Sequence, residues 1–507
     1  MANVRVVNPY SSETDCSWLK GNLHTHTTRS DGLLSPQETV DRYAGLGYDF
    51  LGLSDHDTAP DLSGLNARGM ILVPVCEVSG ASGHVLALGA ERSVPAWQGQ
   101  QATIAAIRAA GAQAILCHPD WGDGFNHYSA AQLIGLTDYE GTEIYNGSVE
   151  DESGLACATA KWDQALSEER WSWGFASDDT HKPTEFGRGW CVVQTKERTL
   201  SALLSAFRRG SFYASSGATI AGIEQEGTRI RVRSPEAEAV AAIGLYGRRL
   251  AWAEGTELVF DVANCASPYV RFECFGRGGR KAWSQPFRLA GETMDRMRRR
   301  LTETPELSVW RADRAPVLSG RMDDPVWARA QAATTFVGHA DASPAPVRTE
   351  LRALATESEL HFGIRCEEPN ADRLKVSVQR HQASNLWMDD GIELFLDADH
   401  GRERYWHIMI NAAGFAWIGE QGRIEEGTRP LPALRTKATR SRSDYVLEAA
   451  LAWPDGKLPL SPDGLWGFNC VRNRHAGGEP ASYAWSFTRG SNHAPRRFGI
   501  LKPSARG

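Results

Sequence analysis

Several features that would place this chain outside the ordinary globular proteins are missing from its sequence. No apolar run in the 507 residues approaches the length that crosses a membrane, and residues 1–13 lack the charged and apolar regions of a secretory signal. The nine cysteines are odd in number and include no CxxC pair, which is typical of reduced, mostly buried thiols. These absences predict a cytoplasmic protein without a disulfide framework.

Positive charge is also scarce relative to negative charge. The chain carries 55 lysines and arginines against 62 aspartates and glutamates, which gives a net charge of −7 and a pI near 6.1. Without a basic surface there is no electrostatic reason to expect nucleic acid as a stable partner, and no membrane partner is expected either. A chain of this length is expected to form about three domains with separate cores.

Histidine is missing from residues 182–338, whereas seven of the fourteen histidines lie in the first 181 residues. Most of these seven stand beside a turn that follows a short apolar run, and several carboxylates occupy the same kind of position. Side chains that serve only packing or solubility would not be expected to recur in this way. The pattern predicts a polynuclear metal centre, and therefore a hydrolase, with nine candidate ligands: His24, His26, Asp31, His56, Glu77, His84, His118, Asp179 and His181.

Residues 18–215 alternate short apolar runs with amphipathic stretches, which predicts an α/β architecture. The sequence Ser35-Pro36-Gln37-Glu38 combines an N-cap serine, a proline at the first helical position and a glutamate three residues after the cap, so it predicts a helix start. Residues 50–53, 71–75 and 114–117 are typical of buried strands, and each is followed closely by a candidate ligand. Polar groups at the carboxyl ends of parallel strands form the active face of a β/α barrel, so we expect a barrel with metal ions at its mouth.

The remainder of the chain predicts β structure. Residues 229–233 and 270–273 alternate apolar and polar side chains, as half-exposed antiparallel strands do. Further strand patterns and eight of the seventeen tryptophans follow residue 308. The expected organisation is a metallohydrolase barrel at 1–217, a small antiparallel β-domain at 218–290, a linker at 291–307 and a β-sandwich at 308–507.

Each candidate ligand also has a plain structural alternative. Asp31 suits a turn before a helix, Glu77 suits the surface after a strand, and His84 suits the core. His24 and His26 face the same side of an extended segment, yet a single HxH pair is a weak motif. Nine such coincidences in one barrel are improbable. Mixed histidine and carboxylate ligation without thiolate favours Zn, Mn or Fe as the metal.

Several segments of the first 215 residues together resemble the polymerase and histidinol phosphatase (PHP) family of metallohydrolases. They are GNLHTHTTRSDGLLSPQE, SDHD, the glutamate after the third apolar run, GHVLALG, CHPDW and SDDTH, and the resemblance covers residues 18–215. It implies a distorted (β/α)7 barrel that holds two or three divalent ions. Within the family, the sequence is most similar to the subgroup of cyclic-phosphate and oligonucleotide phosphoesterases and carbaryl-hydrolase-like proteins.

The resemblance also implies how the ligands are shared among the ions. The D-x-H spacing favours Asp179 over Asp178 as a ligand, and aspartate at position 31 sides with the phosphoesterase and carbaryl-hydrolase-like branches. One ion would be held by His24, His26, Glu77 and Asp179, a second by Asp31 and His56 with His181 or Glu77, and a third by Glu77, His84 and His118.

The expected chemistry is hydrolysis by a metal-bridged hydroxide, which needs no dedicated protein base. Asp57 or His181 is expected to pass a proton to the leaving group. Arg188 is the candidate contact for a substrate anion, and an equally strong alternative is a surface role in its loop. Asn146 matches a strand end of the PHP family, with a purely structural role as its alternative.

A fainter resemblance concerns the C-terminal part of the chain. GRMDDPVW at 320–327, WMDDGIELF at 387–395 and RFG at 497–499 resemble the family-9 carbohydrate-binding β-sandwich, in which paired aromatic rings stack on a sugar.

The residues of this second resemblance have open assignments. Trp387, Trp406 and Trp417 are the candidates for sugar stacking, although core packing is the commoner fate of a tryptophan. Asp389 and Asp390 are expected either to cap a strand turn or to help bind a structural cation.

Three functions are consistent with these patterns. The leading hypothesis is a metal-dependent phosphoesterase that acts on a small or sugar-linked phosphate ester. The second keeps the metal ions but changes the bond to a carbamate, ester or amide. In the third, the barrel is a metal-stabilised scaffold for glycan-binding β-domains. A scaffold needs the ligands of only one ion, so this hypothesis does not explain the additional candidate ligands.

Overall fold

The chain folds as two compact units, Met1–Asp295 and Arg296–Gly507. No helix among the described residues is long and apolar enough to cross a membrane. The finer division at residues 217, 290 and 307 stays a prediction. A computed structural model describes residues 4–10, 15–80, 83–95, 99–265, 267–340, 342–422, 429–459 and 463–504.

The first unit mixes strands with short helices. In chain order its elements are β1 (Arg5–Val7), β2 (Ser17–Asn22), α1 (Pro36–Gly45), β3 (Phe50–Leu53), β4 (Ile71–Val78), β5 (Val85–Leu88), α2 (Gln100–Ala109), β6 (Gln113–Leu116), α3 (Ala130–Gly135), β7 (Gly141–Asn146), α4 (Thr159–Ser167), β8 (Trp173–Ser177), β9 (Trp190–Thr195), α5 (Leu200–Arg209), β10 (Phe212–Ser215), β11 (Gly222–Glu226), β12 (Arg229–Arg233), β13 (Ala237–Gly244), β14 (Arg248–Glu254), β15 (Glu257–Asp261), β16 (Tyr269–Gly276), β17 (Lys281–Ser284) and β18 (Phe287–Ala290). Helix α6 (Glu292–Thr302) follows and crosses the boundary between the units.

Strands β9-β2-β3-β4-β5-β6-β7-β8 lie in this order in one mixed sheet. Strands β2, β3 and β4 pair in parallel, as do β6, β7 and β8. Strand β5 is antiparallel to both β4 and β6, and β9 is antiparallel to β2. Only six residues separate β4 from β5, too few for the crossover that a parallel connection needs. The expected α/β class is confirmed, but strand and helix do not alternate strictly.

The sheet is nearly closed where β2 and β8 end. The Asp179 amide donates to the His24 carbonyl at 2.9 Å, and the His26 amide donates to the Thr180 carbonyl at 2.9 Å. Both segments carry candidate ligands. Closure of the sheet therefore brings the two ends of the ligand-bearing sequence together.

Local sequence explains how the barrel elements form. Helix α1 begins at Pro36 behind the N-cap Ser35, and Ser35 and Glu38 form a reciprocal capping box, as predicted. Strand β3 is buried along its whole length because neighbours cover both of its faces. Phe50 and Phe175 lie in one apolar cluster that joins several barrel strands to α5, so this cluster supports the strands whose ends form the site.

The later strands of the first unit extend the barrel sheet. Strand β10 pairs with β9 and β17, and β17 pairs with β16. Within this extension Arg271 on β16 is only 1% exposed. Its guanidinium donates to both oxygens of Asp163 on α4, at 2.8 and 2.5 Å, and to Glu273 at 2.7 Å. A buried arginine of this kind is tolerated because its charge is paired on two sides.

The second unit is built of β-strands around one core. Phe362 and Phe468 stack at 5.1 Å within this core, which joins side chains from two groups of strands. Its strands are β19 (Glu306–Arg311), β20 (Ala332–Ala333), β21 (Val337–Gly338), β22 (Thr349–Ala355), β23 (Glu359–Glu367), β24 (Gly391–Asp397), β25 (Arg404–Asn411), β26 (Ala416–Gly422), β27 (Ala433–Arg440), β28 (Asp444–Ala452), β29 (Trp466–Arg474), β30 (Ala481–Ala484) and β31 (Gly499–Pro503).

Strand β19 connects the two groups of strands in the second unit. The path runs β26-β25-β24-β29-β31 on one side of β19 and β22-β23-β28-β27 on the other. The pairings of β19 with β22 and with β31 are parallel, whereas the other strand pairings among the described residues of this unit are antiparallel. Two such groups around a shared core have the layered arrangement of a β-sandwich.

We expect Asp163→Ala to destabilise the first unit by about 3–5 kcal/mol, because it removes one of the two carboxylates that pair with the buried Arg271 guanidinium. Urea unfolding of the full chain, followed by circular dichroism, measures this change. Glu257→Ala is the matched control, since its partner Arg231 is 47% exposed and an exposed pair contributes at most about 1 kcal/mol. Equal losses in the two variants would contradict the role given to burial.

Candidate metal centre

The nine predicted ligands gather at one end of the barrel. His24 and His26 follow β2, His56 follows β3, and Glu77 lies near the end of β4. The others lie beside β5, β6 and β8 or in the loop before α1. Seven of the nine line a cavity of about 220 Å³: Asp31, His56, Glu77, His84, His118, Asp179 and His181.

The innermost group consists of His24, His26, Glu77 and Asp179, all of them buried. The Nε2 atom of His24 lies 3.1 Å from Glu77 Oε2 and 3.1 Å from Asp179 Oδ1. The Nε2 atom of His26 lies 3.2 and 3.1 Å from the same two oxygens. Four donor atoms therefore converge on one small volume.

These donor atoms lack ordinary hydrogen bonds. The Nε2 atoms of His24 and His26 and the Oδ1 atom of Asp179 are buried, and none has a partner of hydrogen-bond geometry among the described residues. Buried polar atoms are nearly always satisfied, so orphaned atoms that point at one another need an explanation. A divalent cation bound between nitrogen and oxygen donors explains them, and the residues fit such an ion.

A second group, His26, Asp31, His56 and His181, lies nearer the cavity mouth. Asp31 places Oδ2 at 3.5 Å from His56 Nε2 and 3.6 Å from His181 Nε2. Its side chain is 54% exposed, which opens this group to solvent. An ion held here would be accessible to a substrate.

Glu77 connects the groups through its two carboxylate oxygens. Oε2 faces His24, His26 and, at 3.1 Å, His56. Oε1 lies 2.9 Å from His84 Nδ1 and 3.2 Å from His118 Nε2. One carboxylate thus reaches two sets of imidazoles, as a bridging ligand does.

The charge of Glu77 is strongly stabilised in this environment. Burial by itself raises the pKa of this carboxyl, but the surrounding imidazoles, His24 first among them, outweigh burial and hold the pKa well below its usual range. Burial likewise disfavours charge on His24, yet Asp179, Glu143 and Glu77 raise its pKa well above the usual value. The carboxylates of the site therefore demand nearby positive charge, which protons or metal ions supply.

His127 also lies in this region, although the sequence reasoning left it out of the ligand set. It groups with His84 and His118, and its Nε2 accepts the His84 backbone amide at 2.9 Å. Burial, with His118 and His84 nearby, lowers the pKa of His127 to about 3. Its position in the histidine-rich first 181 residues was the signal, but His127 lies late in the loop after the apolar run 114–117 rather than directly behind that run.

Glu143 on β7 is the other functional residue that sequence reasoning missed. It is buried and accepts four hydrogen bonds: from His24 Nδ1 at 2.7 Å, the His118 amide at 2.8 Å, Ser177 Oγ at 2.5 Å and Asn146 Nδ2 at 3.0 Å. The bond to His24 fixes the ring so that Nε2 faces Glu77 and Asp179. A carboxylate in a wholly buried strand was the available signal.

Asn146 and Ser148 hold the other side of the inner group. Asn146 Nδ2 and Ser148 Oγ each donate to Asp179 Oδ2 at 3.1 Å, which leaves Asp179 Oδ1 facing the histidines. Asp179 has a φ of 53° and His118 a φ of 29°. Left-handed backbone at non-glycine residues costs about 1–3 kcal/mol each and clusters at functional sites.

Asp178 does not share the position of its neighbour. Its carboxylate accepts from Tyr43 and from the amides of Gly187, Arg188 and Gly189, at 2.6 to 2.9 Å. Burial raises its pKa to about 6. Of the two aspartates, the structure brings only Asp179 into the ligand group.

Two predicted substrate-side residues lie elsewhere. Asp57 does not line the cavity, because its carboxylate accepts from the amide and hydroxyl of Ser79 at 3.0 and 2.6 Å. Arg188 does not line it either, because its guanidinium donates to Gly147 O at 3.1 Å and Asp151 at 2.7 Å. Arg188 anchors loops in the structure rather than contacting the cavity.

In the second unit, the three candidate tryptophans separate. Trp387 is 54% exposed and lines a cavity of about 390 Å³ together with Tyr483 and Asn473. Trp406 is buried in the core, and Trp417 packs edge-on against His407. Only Trp387 of the three is placed for stacking on a ligand.

The neighbouring aspartates are engaged by backbone. Asp389 accepts from the amides of Ser377 and Val378, both at 2.9 Å. Asp390 accepts from the amides of Lys375 and His475, both at 2.8 Å. These contacts favour the capping alternative over a structural cation.

Residues 318–503 match the family described as "Carbohydrate family 9 binding domain-like". An 84-residue stretch is 37% identical to the 5′-3′ exoribonuclease of Haemophilus influenzae and covers 15% of this chain. The match spans 31% of the length of that curated relative.

Two solved structures show similarity to parts of this chain. A family-9 carbohydrate-binding module from Caldicellulosiruptor kristjanssonii in complex with cellotriose is 18% identical, covering 40% of this chain and 95% of that chain with a TM-score of 0.32. A two-domain protein from Bacteroides vulgatus, described as containing a predicted PHP-like metal-dependent phosphoesterase, is 16% identical, covering 56% of this chain and 90% of that chain with a TM-score of 0.34.

We expect Glu143→Gln to weaken metal binding about 10–100-fold, because it weakens the hydrogen bond that orients His24. Equilibrium dialysis against Zn²⁺ and Mn²⁺ with elemental analysis measures this affinity. Glu393→Gln alters a comparable buried pair in the second unit, where Glu393 lies 2.6 Å from His407, and should leave metal binding unchanged. Unaltered affinity in Glu143→Gln would show that the contact does not orient a ligand.

Proposed function

We propose that this chain is a PHP-type metal-dependent hydrolase, and that its substrate is a small or sugar-linked phosphate ester. The observation that carries the proposal is the Glu77 carboxylate, whose two oxygens face separate sets of histidines. The orphaned donor atoms of His24, His26 and Asp179 support it further. A site that only stabilised the fold would not need ligands for more than one ion.

The ligands divide naturally among two or three ions of Zn, Mn or Fe. When bound, such ions lower the pKa of water and polarise the oxygens of an ester. The proposed sets are His24, His26, Glu77 and Asp179 for the first ion, Asp31 and His56 with His181 or Glu77 for the second, and Glu77, His84 and His118 for the third.

The chain itself positions these groups and handles the leaving-group proton. Glu143, Asn146 and Ser148 orient His24 and Asp179 by hydrogen bonds. Of the two groups expected to transfer a proton, His181 is the one that lines the cavity. Its Nδ1 donates to the Asp179 carbonyl at 2.9 Å, which leaves Nε2, directed at Asp31, to carry the proton where Glu77 rather than His181 completes the second set.

Two observations bear on the bond that is cleaved. The short match to an exoribonuclease, a class of enzyme that cleaves phosphodiesters, favours a phosphate ester. The described residues that line the cavity include no lysine or arginine, which favours the alternative of a neutral carbamate, ester or amide. Asp31, which sides with the phosphoesterase and carbaryl-hydrolase-like branches, is compatible with both.

The second unit is proposed to bind a sugar. Trp387 and Tyr483 line a cavity with polar groups from Asn473, His339 and His475, the combination of aromatic surface and hydrogen-bonding groups that sugars require. The match of residues 318–503 to the family-9 carbohydrate-binding domains supports this assignment.

Protein purified without chelator should contain about two or three ions per chain and hydrolyse a phosphomonoester or phosphodiester from a broad panel. His26→Ala and Asp179→Ala should each lower activity by at least about 100-fold, since they remove ligands rather than their supports. His400→Ala, a histidine of the second unit, is the control and should change neither quantity.

Elemental analysis and the substrate panel distinguish the possible functions. One ion per chain or none would contradict the polynuclear site. Hydrolysis of aryl esters or carbamates without any phosphate ester would replace the phosphoesterase with the alternative hydrolase.

Trp387→Ala should weaken binding of glucose or cellotriose by about 30-fold, as expected for an exposed aromatic anchor. Isothermal titration calorimetry on the full chain measures the affinity. Met388→Ala is the control, because this neighbour is 43% exposed but does not line the cavity. Absence of binding in the unaltered protein, or equal affinity in Trp387→Ala, would refute the sugar site.

A further inference from the structure

The cavity at the metal centre has a wall that no ligand assignment uses. Besides the seven candidate ligands, the described residues that line it are Trp121, Ser148 and Glu152. Ser148 is already engaged with Asp179, which leaves Trp121 and Glu152 as the side chains that face a substrate without a metal role.

Trp121 is held in a defined orientation. Its Nε1 donates to Glu152 Oε2 at 2.6 Å, a short charge-assisted bond. Its ring lies 5.1 Å from the rings of both His118 and His127. The indole is therefore fixed at its polar edge and against the histidines, and it remains beside the metal-binding groups.

The loop that carries Trp121 is also rigidly supported. Lys161 on α4 donates to the carbonyls of Pro119, Phe125 and Tyr128, at 2.6 to 2.9 Å, and pairs with Asp120 at 2.6 Å. One partly buried ammonium thus ties four points of a ten-residue loop to a helix.

A short antiparallel contact joins this loop to the segment of Glu152. Trp121 bridges to Gly154, and the Leu155 amide donates to Asp120 O at 3.1 Å. Gly154 has a φ of 133°, and a Cβ there would lie 2.5 Å from Asp120 O. The approach of the two segments consequently requires glycine, and it places Trp121 and Glu152 side by side.

The chemistry of this wall suits a hydroxylated ring rather than a second anion. Glu152 Oε1 has no hydrogen-bond partner among the described residues, so it can accept a hydroxyl, whereas a carboxylate repels phosphate. An indole face offers a flat apolar surface on which a sugar or base ring can stack. An acyclic alcohol can donate a hydroxyl to Glu152, but it has no ring to stack on the indole.

We propose that Trp121 and Glu152 bind the alcohol part of the substrate, and that this part is a hydroxylated ring, a sugar or a nucleoside. This inference rests on the proposed phosphoesterase function, whose ions would hold the phosphate itself. Trp121 stacks on the ring and Glu152 accepts one of its hydroxyls. The pair selects among esters that carry the same phosphate charge.

The test compares competitors of equal charge on the metal-loaded full chain. Glucose 1-phosphate, adenosine 5′-monophosphate and glycerol 1-phosphate are each used to inhibit hydrolysis of 4-nitrophenyl phosphate. At least one ring ester should have an inhibition constant about tenfold below that of glycerol 1-phosphate, within the range that stacking on an aromatic side chain provides. Preference for glucose 1-phosphate indicates a sugar, and preference for adenosine 5′-monophosphate indicates a nucleoside.

Variants test whether Trp121 and Glu152 cause the preference for a ring ester over glycerol 1-phosphate. Trp121→Ala should abolish this preference, Trp121→Phe should keep part of it, and Glu152→Gln should reduce it. Trp252→Ala removes a 44% exposed tryptophan of the same unit and should leave it unchanged. Metal stoichiometry and Tm, measured for each variant, separate loss of the wall from loss of the site.

Equal inhibition by all three competitors, or a preference that survives in Trp121→Ala, overturns the inference. If no phosphate ester is hydrolysed, the proposed function fails. Calorimetric binding of the same three compounds to the metal-loaded protein then still tests the roles of Trp121 and Glu152 independently of turnover.

Discussion

The contact on which the site depends is that of one carboxylate with two sets of imidazoles. Glu77 is buried at the end of β4, where a lone charge would be costly, and among the described residues the side chains that pair with its oxygens are all histidines. The sheet must nearly close to bring those histidines in from β2, β3, β5 and β6. Fold and chemistry are therefore coupled at this residue, because the barrel that buries Glu77 also supplies the groups that compensate its charge.

Around this centre, a second layer of hydrogen bonds determines which atoms face the ions. Glu143 accepts a hydrogen bond from Nδ1 of His24, and Asn146 and Ser148 donate hydrogen bonds to Oδ2 of Asp179. His24 Nε2 and Asp179 Oδ1 therefore face each other at 3.1 Å, because the other polar atom of each side chain is already hydrogen-bonded. Such an arrangement lowers the cost of organising ligands when a metal binds, since the rings do not have to be fixed at that moment.

Prediction from sequence succeeded where the signal was local and failed where it was not. Helix α1 was predictable because Ser35, Pro36 and Glu38 are adjacent. The antiparallel β5 was missed because a buried run of Val85–Leu88 has no direction in its composition. Glu143 and His127 were missed because their partners lie 119 and 43 residues away in sequence.

The sequence by itself determined the chemical inventory: histidines and carboxylates at the ends of apolar runs, without a thiolate among them, and an α/β pattern followed by β structure. Those features are local, because the composition and periodicity of a few residues specify them. Only the tertiary structure decided which members of the inventory meet. Asp57 is hydrogen-bonded to Ser79 and Arg188 to Asp151, whereas Trp121 lines the cavity. These contacts depend on loops that approach one another only after the barrel has closed.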